Sequence, residues 1–144
     1  MIYTPKTKLA LKLCFEAHKE QVDKTGLPYV FHPFHLAEGM DDEISVVCAL
    51  LHDVIEDTEY TFADLRNMGF GEDVIEVLTL LTHKDDTPYM EYVEKIKTHP
   101  VATKVKLADL AHNSDLTRMD PEEIDEYAIK RTEKYKNAIK LLSE

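Results

Sequence analysis

Tryptophan is absent from this 144-residue chain, glycine occurs four times, proline six times and cysteine twice. So little glycine and proline argues against disorder and against a turn-rich all-β fold. Cys14 and Cys48 both fall on apolar helical faces and read as buried free thiols rather than a disulfide framework. No stretch approaches the roughly 18 continuous apolar residues of a membrane span. The opening "MIYTPKTKLALKL" has neither the apolar region nor the small-residue cleavage site of a secretory signal. A cytoplasmic protein with no membrane partner is expected. Basic residues are also scarce: 17 Lys and Arg stand against 28 Asp and Glu, a formal net charge of −11. That balance disfavours nucleic acid and anionic membranes as partners. It still admits a small phosphorylated ligand, provided a bound cation changes the local sign of the field.

What is present is helical spacing. The composition, 44% hydrophobic and 31% charged, is that of a globular chain. The length suits one domain, residues 1–144, burying roughly two-thirds of its unfolded surface. Thr4-Pro5 opens a first helix with Leu9, Leu13 and Ala17 inward, running to about Lys24 before Thr25-Gly26-Leu27-Pro28. Pro33 reads as the first position of a second helix. Asp41 or Asp42 caps a third, Glu43 to about Glu56, apolar on most sides and therefore central. Thr61-Phe62-Ala63-Asp64 resembles a capping box, and Gly69 ends the helix it starts. Val74, Ile75, Val77, Leu78 and Leu81 mark another helix, and Thr87-Pro88 and Pro100 start two more. Asp120-Pro121-Glu122-Glu123 caps the last, whose stripe runs through Ile124, Tyr127, Ala128, Tyr135, Ala138, Ile139 and Leu142. No strand pattern is convincing, so the expectation is an all-α bundle of about seven or eight helices. The stripe on the last helix suits packing within the domain or pairing with a second chain, which leaves the oligomeric state open.

The segment "LLHDVIEDT" places four ionisable groups at the end of the apolar central helix. Burying charge without a partner costs several kcal/mol. Glu56 lies one turn beyond His52 and Asp57 one turn beyond Asp53, giving a polar stripe on an otherwise apolar element. Two further ligand types interrupt apolar surroundings: His32 in "YVFHPFH" and Asp109 in "VKLADLAHN". Two imidazoles and two carboxylates suit Mn²⁺, Fe²⁺ or another divalent ion of mixed N/O preference, and no nearby thiolate favours Zn²⁺. By residue type alone, Glu56-Asp57 also suits a solvated helix end, and Asp109 an ion pair with Lys106. His35 offers a second imidazole, with packing as its commoner use. His18 and His112 read as supporting neighbours, and His83 and His99 as surface residues at helix ends.

Five pieces, "AHKEQ" at 17–21, "TGLPYVFHP" at 25–33, "ALLHDVIEDT" at 49–58, "FGEDV" at 70–74 and "VKLADLAHN" at 105–113, resemble in order and spacing the HD-domain hydrolases. Within that group they resemble specifically the hydrolase domain of RelA/SpoT enzymes and the small alarmone hydrolases. The resemblance covers the chain from about Cys14 to Arg118. It implies His32, His52, Asp53 and Asp109 on one metal ion, usually Mn²⁺, and Glu56 and Asp57 serving the hydrolytic water. It implies removal of the 3′-pyrophosphate of guanosine tetra- or pentaphosphate, ppGpp or pppGpp. Larger members also carry a synthetase domain; 144 residues leave no room for one, so no pyrophosphate transfer from ATP is expected.

Two positions depart from the family pattern. Asp23-Lys24 stands where Arg-Lys is typical, and Leu110-Ala111-His112-Asn113 where Arg-Leu-His-Asn is typical. Losing an arginine loses planar, two-pronged recognition of phosphate or base. Lys24 and Asn113 remain as expected substrate contacts, with Lys104, Lys106 and Arg118 as further cations. The leading reading is a metal-dependent phosphohydrolase of a small nucleotide, ppGpp first. The alternatives are hydrolysis of another nucleotide or phosphoester, and a nucleotide-sensing module without turnover; the intact Glu56-Asp57 pair argues against the last.

Overall fold

The structure is a computed structural model that describes residues 1–144. Nine α-helical segments and two short 3₁₀ turns follow one another, with no β-sheet: α1 (Pro5–His18), α2 (Phe31–Glu38), α3 (Glu43–Leu51), α4 (Val54–Asp57), α5 (Phe62–Asn67), α6 (Glu72–Leu81), α7 (Tyr89–Lys97), α8 (Pro100–Asn113) and α9 (Glu126–Ser143). Taking α3 and α4 as one interrupted helix gives the expected all-α bundle of eight.

The apolar run of α3 decides the architecture. Every residue from Ser45 to Leu51 is buried, so the helix needs cover on all sides. It receives that cover from α1, α2, α6 and α8, while α9 packs across α7 and α8. Leu36, Leu50, Leu51, Leu65, Leu78, Ile96 and Leu110 are all at most 1% exposed. Each buried side chain of this size contributes about 1.5–3 kcal/mol of transfer free energy. All five α6 positions expected to face inward are buried.

Helix starts follow local hydrogen bonding. Thr4 and Thr7 satisfy each other's backbone N–H groups at the start of α1, and Asp42 accepts from Ser45 N–H at 2.9 Å to open α3. Thr61 and Asp64 form a reciprocal box at 3.2 and 2.9 Å, so Asp serves where Glu is commoner. Gly69, at φ +101°, follows α5 in the left-handed region that suits glycine.

Four expected boundaries differ. Helix α1 stops at His18, not near Lys24. The Asp23 carboxylate draws the next segment into a turn by accepting the N–H groups of Thr25 and Leu27 at 2.8 and 3.0 Å. Helix α2 begins at Phe31, which puts Pro33 third rather than first; its missing N–H still falls in the first turn, where N–H groups lack intrahelical partners. The central helix breaks at His52-Asp53, and α4 restarts at Val54. There His52 Nδ1 turns back to the carbonyl of Ala49 at 2.7 Å, serving a group freed by the helix end. Finally, Pro121–Glu123 is only a 3₁₀ turn, and α9 is capped by Asp125 through Ala128 N–H at 2.8 Å. Tyr127 therefore falls outside the inward stripe and is 69% exposed; Leu9, also expected inward, lies at the surface.

The central position of α3 sets a stability test. Leu50→Ala is expected to cost about 2–5 kcal/mol by denaturant unfolding, whereas Tyr127→Ala stays within about 0.5 kcal/mol. Equal losses would mean that α3 is not the packing centre.

Candidate functional site

Three elements converge at the C-terminal end of α3. Helix α2 supplies His32, the α3–α4 turn supplies His52 and Asp53, and α8 supplies Asp109. His32, His52 and Asp109 are buried, each with a ligand atom within 4.8 Å of the others. His32 Nε2 lies 2.8 Å from Asp109 Oδ1, and His52 Nε2 lies 3.4 Å from the same oxygen. Asp53 stands at the rim of this cluster, with Oδ2 3.0 Å from His52 Nε2 and hydrogen-bonded to the Tyr29 hydroxyl. The break between α3 and α4 is what allows adjacent His52 and Asp53 to face one point.

The arrangement fits a divalent cation. With His52 Nδ1 committed to the Ala49 carbonyl, Nε2 points into the cluster, buried and without a hydrogen bond of acceptable geometry. His32 is oriented the same way: its Nδ1 lies 2.7 Å from His112 Nδ1, leaving Nε2 for the cluster. Burial, with the charges of Arg118 and His32, pushes His112 down to about 4, so a neutral His112 can accept that bond. Such outer partners fix the tautomer of a metal-binding imidazole.

The electrostatics show what the cluster lacks. Burial alone would lower the His52 pKa, but the carboxylates of Asp53 and Asp109 outweigh it and hold the imidazole well above its usual range. Burial would raise Asp109; Lys106, His32 and His52 reverse that and hold it well below. Lys106 pairs with Asp109 Oδ2 at 3.0 Å, so the ion pair that residue type alone allowed coexists with the His–Asp cluster. Excess negative charge here recruits protons and ammonium groups, and a divalent ion answers the same demand.

Glu56 and Asp57 lie on α4 at the lip of a cleft of about 640 Å³, whose walls also include Tyr29, His32, Asp53 and Asp109. Burial raises the Glu56 carboxyl while the backbone N–H of His83 opposes the rise by donating to it. Burial and repulsion from Asp53 push Asp57 up to about 6. Both side chains are exposed at the surface, yet the His83 N–H binds Glu56 and Asp53 repels Asp57, so the solvated helix end that residue type alone allowed is also a wall of the cleft. Lys24 and Asn113 line the same cleft, and Asn113 Nδ2 donates to Asp109 Oδ1 at 3.0 Å. Lys106 and Arg118 are there too, whereas Lys104 points away and binds Asp41 and Asp42 at 2.8 and 2.9 Å.

Several contributors gave no recognisable signal in the chain. Tyr29 holds Asp53 and is flanked by His18 and His32, with ring centroids 4.9 and 5.7 Å away. His83, expected at the surface, stacks on Tyr92 at 4.5 Å, and its N–H holds Glu56. Gln21 donates to the Asp57 carbonyl at 3.0 Å. His35 is exposed and stacks on His112 at 4.1 Å, outside the cluster.

No protein-family model matches the chain. Curated relatives do. The guanosine-3′,5′-bis(diphosphate) 3′-pyrophosphohydrolase MESH1 of Xenopus tropicalis is 35% identical over 78% of this chain and 70% of its own. MESH1 of Danio rerio is 36% identical over 74% of this chain and 67% of its own. The chain belongs to the RelA/SpoT-like HD-domain hydrolases. A longer relative, the guanosine-3′,5′-bis(diphosphate) 3′-pyrophosphohydrolase of Aquifex aeolicus, is 42% identical over 51% of this chain, a match spanning 11% of that enzyme. A solved structure, described as a metazoan ortholog of SpoT that hydrolyses ppGpp and plays a role in starvation responses, aligns with a TM-score of 0.77 at 25% identity, over 96% of this chain and 85% of that one.

The two departures from the RelA/SpoT-like pattern have structural uses. Asp23 builds the 23–27 turn and pairs with Arg118 at 3.2 Å. An arginine at 23 would lose both and repel Arg118. Leu110 is fully buried in the core and contributes nothing to the cleft surface. The cleft's guanidinium groups come instead from Arg118 and Arg131.

Mn²⁺ titration followed by thermal unfolding tests the cluster. An ion at 100 times its dissociation constant stabilises the native state by about 2.7 kcal/mol. His52→Ala and Asp109→Ala are expected to abolish the shift; a full shift in either variant would refute the cluster as the cation site.

Proposed function

We propose that this chain is a metal-dependent guanosine 3′,5′-bis(diphosphate) 3′-pyrophosphohydrolase acting on ppGpp and pppGpp. The observation that carries the reading is the buried His32–His52–Asp109 cluster, with Asp53 at its rim and the Glu56-Asp57 pair beside it, in a chain whose relatives bear that activity in their names. Residues 1–144 act as a single hydrolase domain on a cytoplasmic nucleotide pool.

His32, His52, Asp53 and Asp109 would hold one ion, Mn²⁺ by its tolerance of mixed imidazole and carboxylate ligands. When bound, such an ion lowers the pKa of a water and polarises a phosphoryl oxygen. The remaining work belongs to the chain. Tyr29 fixes the Asp53 carboxylate, and the Ala49 carbonyl and His112 fix the two imidazoles. Asp57 lines the cleft next to Asp53 and serves as the general base that takes a proton from the attacking water. Glu56, held by the His83 N–H, orients that water. Lys24, Arg118, Arg131 and Asn113 line the cleft where the nucleotide would lie. In an acidic protein these cations and the metal together make the cleft hospitable to phosphates.

A Mn²⁺-supplemented screen over ppGpp, pppGpp, nucleoside triphosphates and simple phosphoesters tests the assignment. Pyrophosphate release from ppGpp is the expected result. Activity confined to another nucleotide would replace the substrate, and saturable binding without any turnover would replace the enzyme by a sensor. Glu56→Gln and Asp57→Asn are each expected to lower kcat by about 10²–10⁴-fold while metal content is retained. Comparable metal loss would make them ligands instead.

A further inference from the structure

Two cavities, not one, open onto the His–Asp cluster. Beside the 640 Å³ cleft lies a second chamber of about 210 Å³. The two share Asp53, Glu56, Lys106, Asp109, Asn113 and Tyr135, so the cluster sits where they join. The chamber's outer walls are His83, Tyr89, Tyr92 and Lys134. On the reading of the chain as a 3′-pyrophosphohydrolase, we propose that this chamber receives the 3′-pyrophosphoryl group and then holds the pyrophosphate product, while the nucleoside 5′-diphosphate portion occupies the larger cleft.

Size, donors and position support the division. Pockets for whole small-molecule ligands commonly measure about 300–1,000 Å³. The larger cleft falls within that range and the chamber below it, suiting a fragment. The chamber also carries donors that nothing within the chain uses. The Tyr89 hydroxyl is buried and has no hydrogen-bond partner, which is unusual for a phenol away from solvent. Lys134 holds its Nζ over the Tyr89 ring, 4.3 Å from the centroid, and forms no ion pair with a carboxylate. Lys106, already paired with Asp109 at 3.0 Å, adds a second ammonium group from the wall common to both cavities. Two ammonium groups, an unused hydroxyl and the adjoining cation site are the chemistry that a compact polyanion requires.

The reaction then balances across the junction. The oxygen of water attacks the phosphorus bonded to the nucleotide 3′ oxygen, and that P–O bond breaks. The water oxygen stays with the pyrophosphate in the chamber. The 3′ oxygen keeps the bonding pair and takes a proton, and the nucleoside 5′-diphosphate leaves through the wider cleft. No oxidant, reductant or further reactant is needed.

Isothermal titration of the full Mn²⁺-loaded chain with pyrophosphate and, separately, with GDP tests the chamber without relying on turnover. Lys134→Met and Tyr89→Phe are each expected to weaken pyrophosphate binding about tenfold or more, leaving GDP binding within about twofold. Both are mild changes, an exposed lysine and a single hydroxyl, and circular dichroism checks that each variant folds. Pyrophosphate affinity unchanged in both variants, or GDP affinity falling in parallel, would overturn the proposal. Pyrophosphate release from ppGpp by the same wild-type sample tests the underlying reading separately, so failure of the substrate assignment and failure of the chamber give different results.

Discussion

The shared demand of His32, His52, Asp53 and Asp109 for positive charge organises this molecule. Carboxylates brought this close inside a fold are costly unless something neutralises them. Lys106 answers part of the demand from one turn away on α8, at 3.0 Å from Asp109, and the raised proton affinity of His52 answers another part. A divalent cation would satisfy the remainder, with His32, His52 and Asp109 offering ligand atoms within 4.8 Å of one another. The same charge acts outward, adding to the effect of burial that keeps Asp57 near 6.

The fold supplies the rigidity that such a site needs. Helix α3 is buried along its length, so the turn that ends it has little freedom. Helices α2 and α8 pack on α3 and bring His32 and Asp109 to that turn from opposite ends of the chain. The 19–30 loop closes one side, with Tyr29 on Asp53, Gln21 on the Asp57 carbonyl and Asp23 on Arg118. The α6–α7 connection closes another, where His83 is pinned by Tyr92 and by the Thr87 carbonyl at 2.7 Å and offers its N–H to Glu56. Asp53 and Glu56 are thus held through their carboxylates, and Asp57 through its backbone carbonyl, by residues outside α4, the kind of support that a catalytic geometry depends on.

Much of this was legible in the chain because it is local. Thr4-Pro5, Asp42 and Thr61…Asp64 announce helix starts through bonds spanning three residues, and the α6 stripe shows its buried face by spacing alone. The ligand types stood out for a related reason: His52, Asp53 and Asp109 interrupt apolar runs where a charge needs an explanation. The break after Leu51 was hidden because "ALLHDVIED" holds no glycine or proline to stop a helix, and the His52–Ala49 bond and the pull of the cluster end it instead. The early stop of α1 was hidden likewise, since the Asp23 turn overrides helical residues. Tyr29, His83 and His112 act across 24, 27 and 80 positions of the chain. No periodicity reports such pairings, and a histidine at a helix end looks the same whether it faces solvent or braces a carboxylate.

Anomalous diffraction from Mn²⁺-loaded crystals tests the central claim most directly. The account predicts one strong manganese peak within about 2.0–2.3 Å of His32 Nε2, His52 Nε2 and an oxygen each of Asp53 and Asp109, with the Asp57 carboxylate close enough to reach a water beside the ion. A peak elsewhere, or an intact His52–Asp109 contact with no ion between them at saturating manganese, would contradict it.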